Sequence, residues 1–433
     1  MLAALSLCQL SPTIWTLFPA STMSSIILYH SMLYPKLPHI SSRKSAHLLV
    51  RRPSIPQCHA RYSIINRRFN HSTTTFPVPK YSPAPQILNP QFYSRIHGWC
   101  EIHRKSMPSP VPRPCLDQGS LLKVVSWNID SKGVGRAARA SFAMGYLEEI
   151  FKDASIPLVI MLQEVHRESL SAIAKHQWVR KNFVVSNVHV ARNFSTTIMV
   201  SQNIQTDSWF RIPLRGVTDR DLLAVDIPIS APKGESKHNK RILRLCTTYL
   251  DLFRDEGRPC QLAHVSALLK APPTRYSEIL AGLVGANLNQ DRPSFALSPM
   301  AGIVDLCDVW DDTTYPPTRI LRPTRNTKGY RKSNVRSAKR IDNFLYTGMI
   351  DAGPLSEVQD VTGRAGRLGV GLKTTVRTGK HYAKRRLKLT KRDHGSKFPR
   401  KSHSDICREG GIRKELDVLV SSHVGSAIGI RVR

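Results

Sequence analysis

The sequence predicts an α/β protein: a four-layer sandwich of two packed mixed β-sheets with helices on the outer faces. Three observations predict it. Short apolar runs of strand composition recur through residues 120–433. Amphipathic stretches of helical period lie between some of them, without the regular strand–helix alternation of a doubly wound sheet. The polar residues with most chemistry in them fall where apolar runs end, and loops off strand ends are where such folds gather ligands.

From the amino end, the first acidic residue is Glu101, and ten Lys or Arg precede it. Residues 1–72 read as a basic, acid-free leader. An Arg- and Ser-rich composition without acids suits a mitochondrial targeting segment, although Pro12 and Pro19 interrupt any early helix; the same composition suits a leader without structure. Residues 73–118 are Pro-rich and read as an extended linker. The folded domain is expected over 119–433.

Residues 121–125 form an apolar run that ends in Trp127-Asn128, a buried strand delivering an amide at its carboxyl end. Residues 131–152 fit an amphipathic helix, with Phe142, Leu147, Ile150 and Phe151 as its apolar positions. The run 158–163 repeats the first device and delivers Glu164. A helix is expected over 168–175, and short strands over 183–186, 197–201 and 222–227. Residues 241–250 alternate and are β, 261–270 form a helix, and 279–284 form a buried strand ending in Gly285-Ala-Asn-Leu-Asn289. Residues 340–346 and 427–432 supply the last strands. Two basic stretches poor in apolar residues, 319–340 and 377–413, interrupt the domain as surface insertions. They are either solvated or in contact with a phosphate backbone.

With 64 Lys and Arg against 31 Asp and Glu, the net charge is +33. That excess points to a polyanionic partner such as nucleic acid, or to a basic targeting segment. Eight cysteines show no CxxC pair, which leaves no zinc spacing and no compact disulfide framework. Reduced thiols in an intracellular compartment, mitochondrion or nucleus, are the expectation. No apolar run approaches the roughly eighteen residues of a transmembrane helix, and a monomer is expected.

Two neighbouring strand ends, one with Asn128 and one with Glu164, make a hard-oxygen corner suited to Mg²⁺, with Mn²⁺ a substitute. An ionised carboxylate ending a buried strand is costly unless a cation meets it, so Glu164 is a metal-ligand candidate; a helix cap or a local ion pair is the plainer alternative. Asn128 ligates through its amide oxygen, orients the ion's water, or simply forms a turn. His423 follows an apolar strand and precedes Gly425, which suits a tight loop.

Trp127-Asn128, Gln163-Glu164, Gly285-Ala-Asn-Leu-Asn289 and Ser421-Ser-His423 together resemble the motifs WN, QE, GD-x-N and SDH of the endonuclease/exonuclease/phosphatase superfamily. Trp-Asn-Ile-Asp130 with Leu162-Gln-Glu-Val165 is most similar to its 5′-tyrosyl-DNA phosphodiesterase branch. The resemblance implies metal-dependent hydrolysis of nucleic-acid phosphodiesters, including 5′-phosphotyrosyl bonds. It makes Asn128 and Glu164 the metal residues and His423 the histidine at the scissile phosphate, oriented by Asp342. Asn289 becomes an amide donor to phosphate, Asn287 the water-site residue, and Tyr249 a substrate-binding residue. An inactive descendant binding nucleic acid or protein in the same groove, and a lipid or inositol phosphate phosphatase, are the alternatives.

The sequence departs from that pattern in four places. Asn287 stands where the pattern has an Asp that orients or deprotonates water, and an amide cannot accept the proton. In the alternative alignment Ala286 is its counterpart and the base is missing altogether. Ser422 stands where the pattern has Asp. Tyr249 replaces a His, and Tyr carries no positive charge near neutral pH. Lys328-Gly-Tyr330 replaces a Thr-Trp pair.

Overall fold

The structure, a computed structural model, describes residues 84–102, 113–153, 155–189, 194–214, 216, 220–230, 240–251, 257–289, 304–310, 341–360, 363–378 and 414–433. Along the chain the strands are β1 (Gln86–Ile87), β2 (Gln91–Ser94), β3 (Gly98–Glu101), β4 (Leu116–Asp117), β5 (Leu122–Asn128), β6 (Leu158–Val165) and β7 (Phe183–Val185). They continue as β8 (Ser195–Ser201), β9 (Trp209–Leu214), β10 (Arg220–Ser230), β11 (Lys240–Tyr249), β12 (Ser277–Asn287) and β13 (Cys307–Asp308). The last are β14 (Asp342–Gly348), β15 (Ile350–Pro354), β16 (Arg367–Leu368), β17 (Lys373–Thr378), β18 (Lys414–Leu419) and β19 (Gly425–Val432). The described helices are α1 (Arg136–Ile150), α2 (Arg167–Lys175), α3 (Gln177–Asn182) and α4 (Gly257–Lys270).

The strands make two large mixed sheets. One runs β1-β9-β10-β11-β12-β14-β13 with β4 beside β10, and the other runs β15-β19-β5-β6-β8-β7-β2-β3 with β16 beside β19. Alternation along the strands explains how the sheets stack, because successive side chains point to opposite faces. In β5, Val124 joins one core with Val159, Leu243, Leu283 and Phe344, residues of both sheets. Its neighbour Val125 faces the other way, into a core shared with Met144 and Leu147 of α1 and Leu170 of α2. On the far side, Ala224, Cys246 and Val284 pack against Leu262, Val265 and Leu269 of α4. Helix, sheet, sheet, helix is the four-layer sandwich that the sequence predicts.

Two local readings are corrected. The stretch expected to be an extended linker contributes paired strands. Phe92 lies opposite Cys100 in a β2–β3 hairpin, Gln91 pairs with Val185, and Gln86 pairs with Arg211. Of the described prolines in this stretch, Pro85 precedes β1, Pro90 separates β1 from β2, and Pro114 precedes β4. In α1 the buried stripe is Ala140, Ala143, Met144 and Leu147, followed by Phe151, whereas Phe142 is exposed. The insertion expected at 377–413 leaves from a two-stranded ribbon: β17 and β18 pair from Lys373 opposite Leu419 to Thr378 opposite Lys414. Residues 319–340, the Lys328-Gly-Tyr330 stretch and the leader lie outside the described residues.

Candidate active site

The site follows from where the strands stop. β5 and β6 are parallel neighbours with Asn128 opposite Gln163, so their carboxyl ends share one rim. In the facing sheet β11 and β12 are also parallel, with Tyr249 opposite Asn287, and Asn287 in turn lies opposite Asp342 of antiparallel β14. Loop 420–424, entering β19, is tied onto the end of β5. Trp127 Nε1 donates to the His423 carbonyl at 3.1 Å, and Ser421 Oγ donates to the Asn128 carbonyl at 2.6 Å.

The two sheets are also joined by polar groups at this end. Gln163 is buried, with Nε2 at 2.9 Å from Ser126 Oγ in its own sheet and 2.8 Å from Thr247 Oγ1 in the other. Gly285 permits that approach, since a Cβ there would stand 2.7 Å from Ser126 Oγ.

Glu164 leaves β6 at an irregularity in the β6–β8 register between Leu162 and Val165, with φ of 53°. Left-handed backbone costs a non-glycine residue about 1–2 kcal/mol, so the surroundings must hold it there. They do: Asn128 Nδ2 donates to Oε1 at 2.9 Å and Ser131 Oγ donates to Oε2 at 3.2 Å. Among the described non-glycine residues, Asp130, Asn289 and Asp305 share this positive φ, and the first two lie at the same rim. Strained residues held in place cluster at functional sites.

His423 is buried, and its Nδ1 lies 3.0 Å from Asp342 Oδ2. Burial on its own pushes the imidazole pKa down. The charge and hydrogen bond of Asp342, assisted by the charges of Glu164 and Asp130, more than offset it and hold it above the ordinary histidine value. Glu164, Asp342 and His423, distant in the chain, are thus brought together.

The remaining expected residues have specific partners. Asn128 turns its oxygen to the Asp130 N–H at 2.9 Å, while its nitrogen holds Glu164, so in this arrangement it positions the carboxylate. Asn287 is fully buried; its Oδ1 accepts from the Asn289 N–H at 2.9 Å, and its Nδ2 has no partner among the described residues. Asn289 donates one amide hydrogen to the Leu250 carbonyl at 2.8 Å. Tyr249 is buried beneath the Arg220 guanidinium, whose carbon stands 3.9 Å from the ring centre.

Three residues were not assigned from sequence. Asp130, quoted within the Trp-Asn-Ile-Asp motif, lies close enough to His423 to act on its charge, and its carboxylate accepts from the Ser422 side chain. A carboxylate thus stands beside Ser422, where the motif itself would carry Asp. Burial raises the Asp130 pKa, but the Lys132 N–H, Ser422, Arg139 and His423 together lower it overall, so it is ionised at neutral pH. Arg139 is buried and donates to the carbonyls of Ile129 and Asp130, fixing the strained turn. Arg220 places a cation over the ring of Tyr249. The signal for Arg139 and Arg220 lay in tertiary placement alone.

No family model and no curated protein matches the chain. Among solved structures it is similar to TDP2 of D. rerio complexed with a single-strand DNA product, with 15% identity, 72% of this chain and 100% of that one covered, and a TM-score of 0.43. It is also similar to a truncated TDP2 of Caenorhabditis elegans, with 15% identity, 73% and 99% covered, and a TM-score of 0.42. A third similar structure is the human Nocturnin catalytic domain with a bound sulfate anion, with 12% identity, 76% and 100% covered, and a TM-score of 0.41.

Proposed function

We propose that the chain is a phosphoesterase hydrolysing phosphodiester bonds of nucleic acid, 5′-phosphotyrosyl bonds included. The observation that carries the reading is the meeting of an Asp342-held His423 with a strained, doubly hydrogen-bonded Glu164 on one rim. With Nδ1 engaged by Asp342, Nε2 is the nitrogen left for substrate. A histidine whose charged form is favoured there can donate to a phosphoryl or leaving oxygen as negative charge develops. Arg220 over Tyr249 adds a positive charge at the other end of the Tyr249–Asn287–Asp342 row.

The donor set suits a hard cation. A carboxylate offers about four lone-pair sites, and two of those on Glu164 are in use, so it can still ligate. Among the described residues no group of three or more His, Cys, Asp or Glu is arranged to hold an ion. Mg²⁺ or Mn²⁺ would be held by Glu164 together with water and substrate oxygens, the usual habit of Mg²⁺. When bound, the ion supplies Lewis-acid stabilisation at the phosphoryl oxygen.

Asn287 cannot take a proton from water, and loss of a general base costs on the order of 10²–10⁴-fold in rate. The same residue favours a second reading, an inactive descendant that binds nucleic acid in this groove. The test is hydrolysis of a 5′-phosphotyrosyl oligonucleotide and of a plain one by the full chain in Mg²⁺. Slow turnover, reduced about 10²-fold or more in Glu164→Ala and in His423→Ala, is expected. An inert protein that still binds both oligonucleotides, and that gains turnover as Asn287→Asp/Ser422→Asp, would establish the second reading instead.

A further inference from the structure

Away from the rim, the outer helical layer holds a cavity of 320 Å³ between β3, α2, α3 and residues 188–189. Its floor is apolar, from Leu170, Ala174 and Val188, and Trp99 forms a wall. Its remaining lining includes Arg167, Lys175 and Arg180, with no carboxylate among the described residues. The nearest acid on α2, Glu168, is directed to Arg136 at 3.8 Å.

The aromatic wall and one of the cations are fixed in advance. Trp99 Nε1 and Arg180 Nε both donate to the Ala174 carbonyl, at 3.2 and 2.9 Å. Tyr93 sits edge-on to Trp99 with ring centres 5.6 Å apart, and the Arg180 guanidinium lies 4.4 Å over the Tyr93 ring. The terminal nitrogens of Arg180 are left for an oxyanion, and a planar guanidinium held in place suits phosphate. Arg167 and Lys175 are exposed and form no ion pair among the described residues.

We propose that this cavity binds a nucleotide unit, its flat ring against Trp99 and the apolar floor and its phosphate among Arg167, Lys175 and Arg180. The volume sits at the small end of ligand pockets, about 300–1,000 Å³, and suits one nucleotide. A bare anion would leave the apolar floor unmatched, and an apolar ligand would leave three cations unmatched. The unit comes either from a free mononucleotide or from a single strand. Arg167 is three residues beyond Glu164, and α2 has 9 residues, so a strand following it from the rim covers about 14 Å.

The test measures binding by the full chain in EDTA, so its outcome does not depend on hydrolysis at the rim. A labelled oligothymidylate is titrated by anisotropy, with thymidine monophosphate and inorganic phosphate as competitors. Arg167→Glu/Lys175→Glu and Trp99→Ala are each expected to weaken oligonucleotide binding about 10-fold or more, with Trp99→Phe retaining most of it. Lys152→Glu/Arg275→Glu makes the same charge change at exposed positions elsewhere and is expected to cost under about 3-fold. Competition by thymidine monophosphate that is lost in the pocket variants identifies a mononucleotide site; pocket-dependent binding without it identifies a strand. Equal losses in both double variants, or phosphate competing as well as nucleotide while Trp99→Ala is neutral, would overturn the proposal. Arg167 and Lys175 are exposed, so their replacement reads the site even where Trp99→Ala fails to fold.

Discussion

At the scale of single residues, the His423–Asp342 pair makes a pH prediction with a definite sign. The folded-state pKa of His423 is raised, so its charged form persists past the ordinary histidine value of about 6.5. The stabilisation from this pair is fully present below about pH 6.5 and lost as pH rises through the raised value. Turnover that uses the imidazolium is expected to decline on the alkaline side over the same range. Asp342→Asn removes the main raising influence and leaves the burial, so the titration of His423 moves to lower pH. Proton NMR of the His423 ring in the two proteins measures this, and an unmoved midpoint would remove Asp342 from the role. Asp130 runs the opposite way: its pKa is lowered, so its contribution is present above about pH 3.9 and is lost as pH falls through its folded-state value. Glu164 and Asn128 were legible in the sequence because each ends a strongly apolar run, which fixes its place at a sheet rim; His423 was legible through its motif, since the strand before it, Lys414–Leu419, is mixed and belongs to the β17–β18 ribbon. Asp130, Arg139 and Arg220 were not assigned, because their importance comes from which turn or ring they meet across the fold.

At the scale of elements, β10 and β11 depend on a buried ion pair. Arg244 Nε and Nη2 donate to the two oxygens of Asp226 at 2.7 and 2.9 Å, and Nη1 donates to the carbonyls of Leu268 and Ala271 at the end of α4. Ser208 Oγ donates to Asp226 as well, at 2.6 Å. One guanidinium therefore fastens a helix end to the strand beneath it. Arg244→Met leaves Asp226 buried without its cation and strips two carbonyls, at an expected cost of about 3–5 kcal/mol. Chemical denaturation of wild type and variant measures it, and a change under about 1 kcal/mol would show that the pair is redundant. Pairing a second change, Asp226→Leu, with Arg244→Met should recover much of the loss, because the uncompensated charge is then gone. The sequence marked both strands by their β composition but gave no sign of this pair, since Asp226 and Arg244 come opposite each other only through the hairpin register. The same non-locality hid β1 and β2, whose partners at Val185, Phe210 and Arg211 lie about a hundred residues on, while β3 pairs with β2 but is too short to carry a periodic signal.

At the scale of the whole molecule, the net charge of +33 is large beside the acidic chemistry of the rim, where Glu164, Asp130 and Asp342 gather. A site of that sign repels a nucleic-acid backbone unless cations nearby hold it. The sequence supplies them in bulk in the 377–413 insertion, which departs from the β17–β18 ribbon. Each phosphate neutralised on a single strand contributes about −0.7 to the slope of log binding constant against log salt. If Lys384, Arg385, Arg386, Lys391 and Arg392 each meet a phosphate, replacing all five by Gln flattens that slope by up to about 3.5, with little change at high salt. Oligonucleotide binding by the full chain, measured at several salt concentrations in EDTA, reads the slope directly. The Arg167→Glu/Lys175→Glu variant in the same series separates the contributions, since a pocket holding one nucleotide can remove only about 1–2 phosphate contacts. A slope unchanged by the five Gln substitutions would mean that these five side chains carry their charge in solvent.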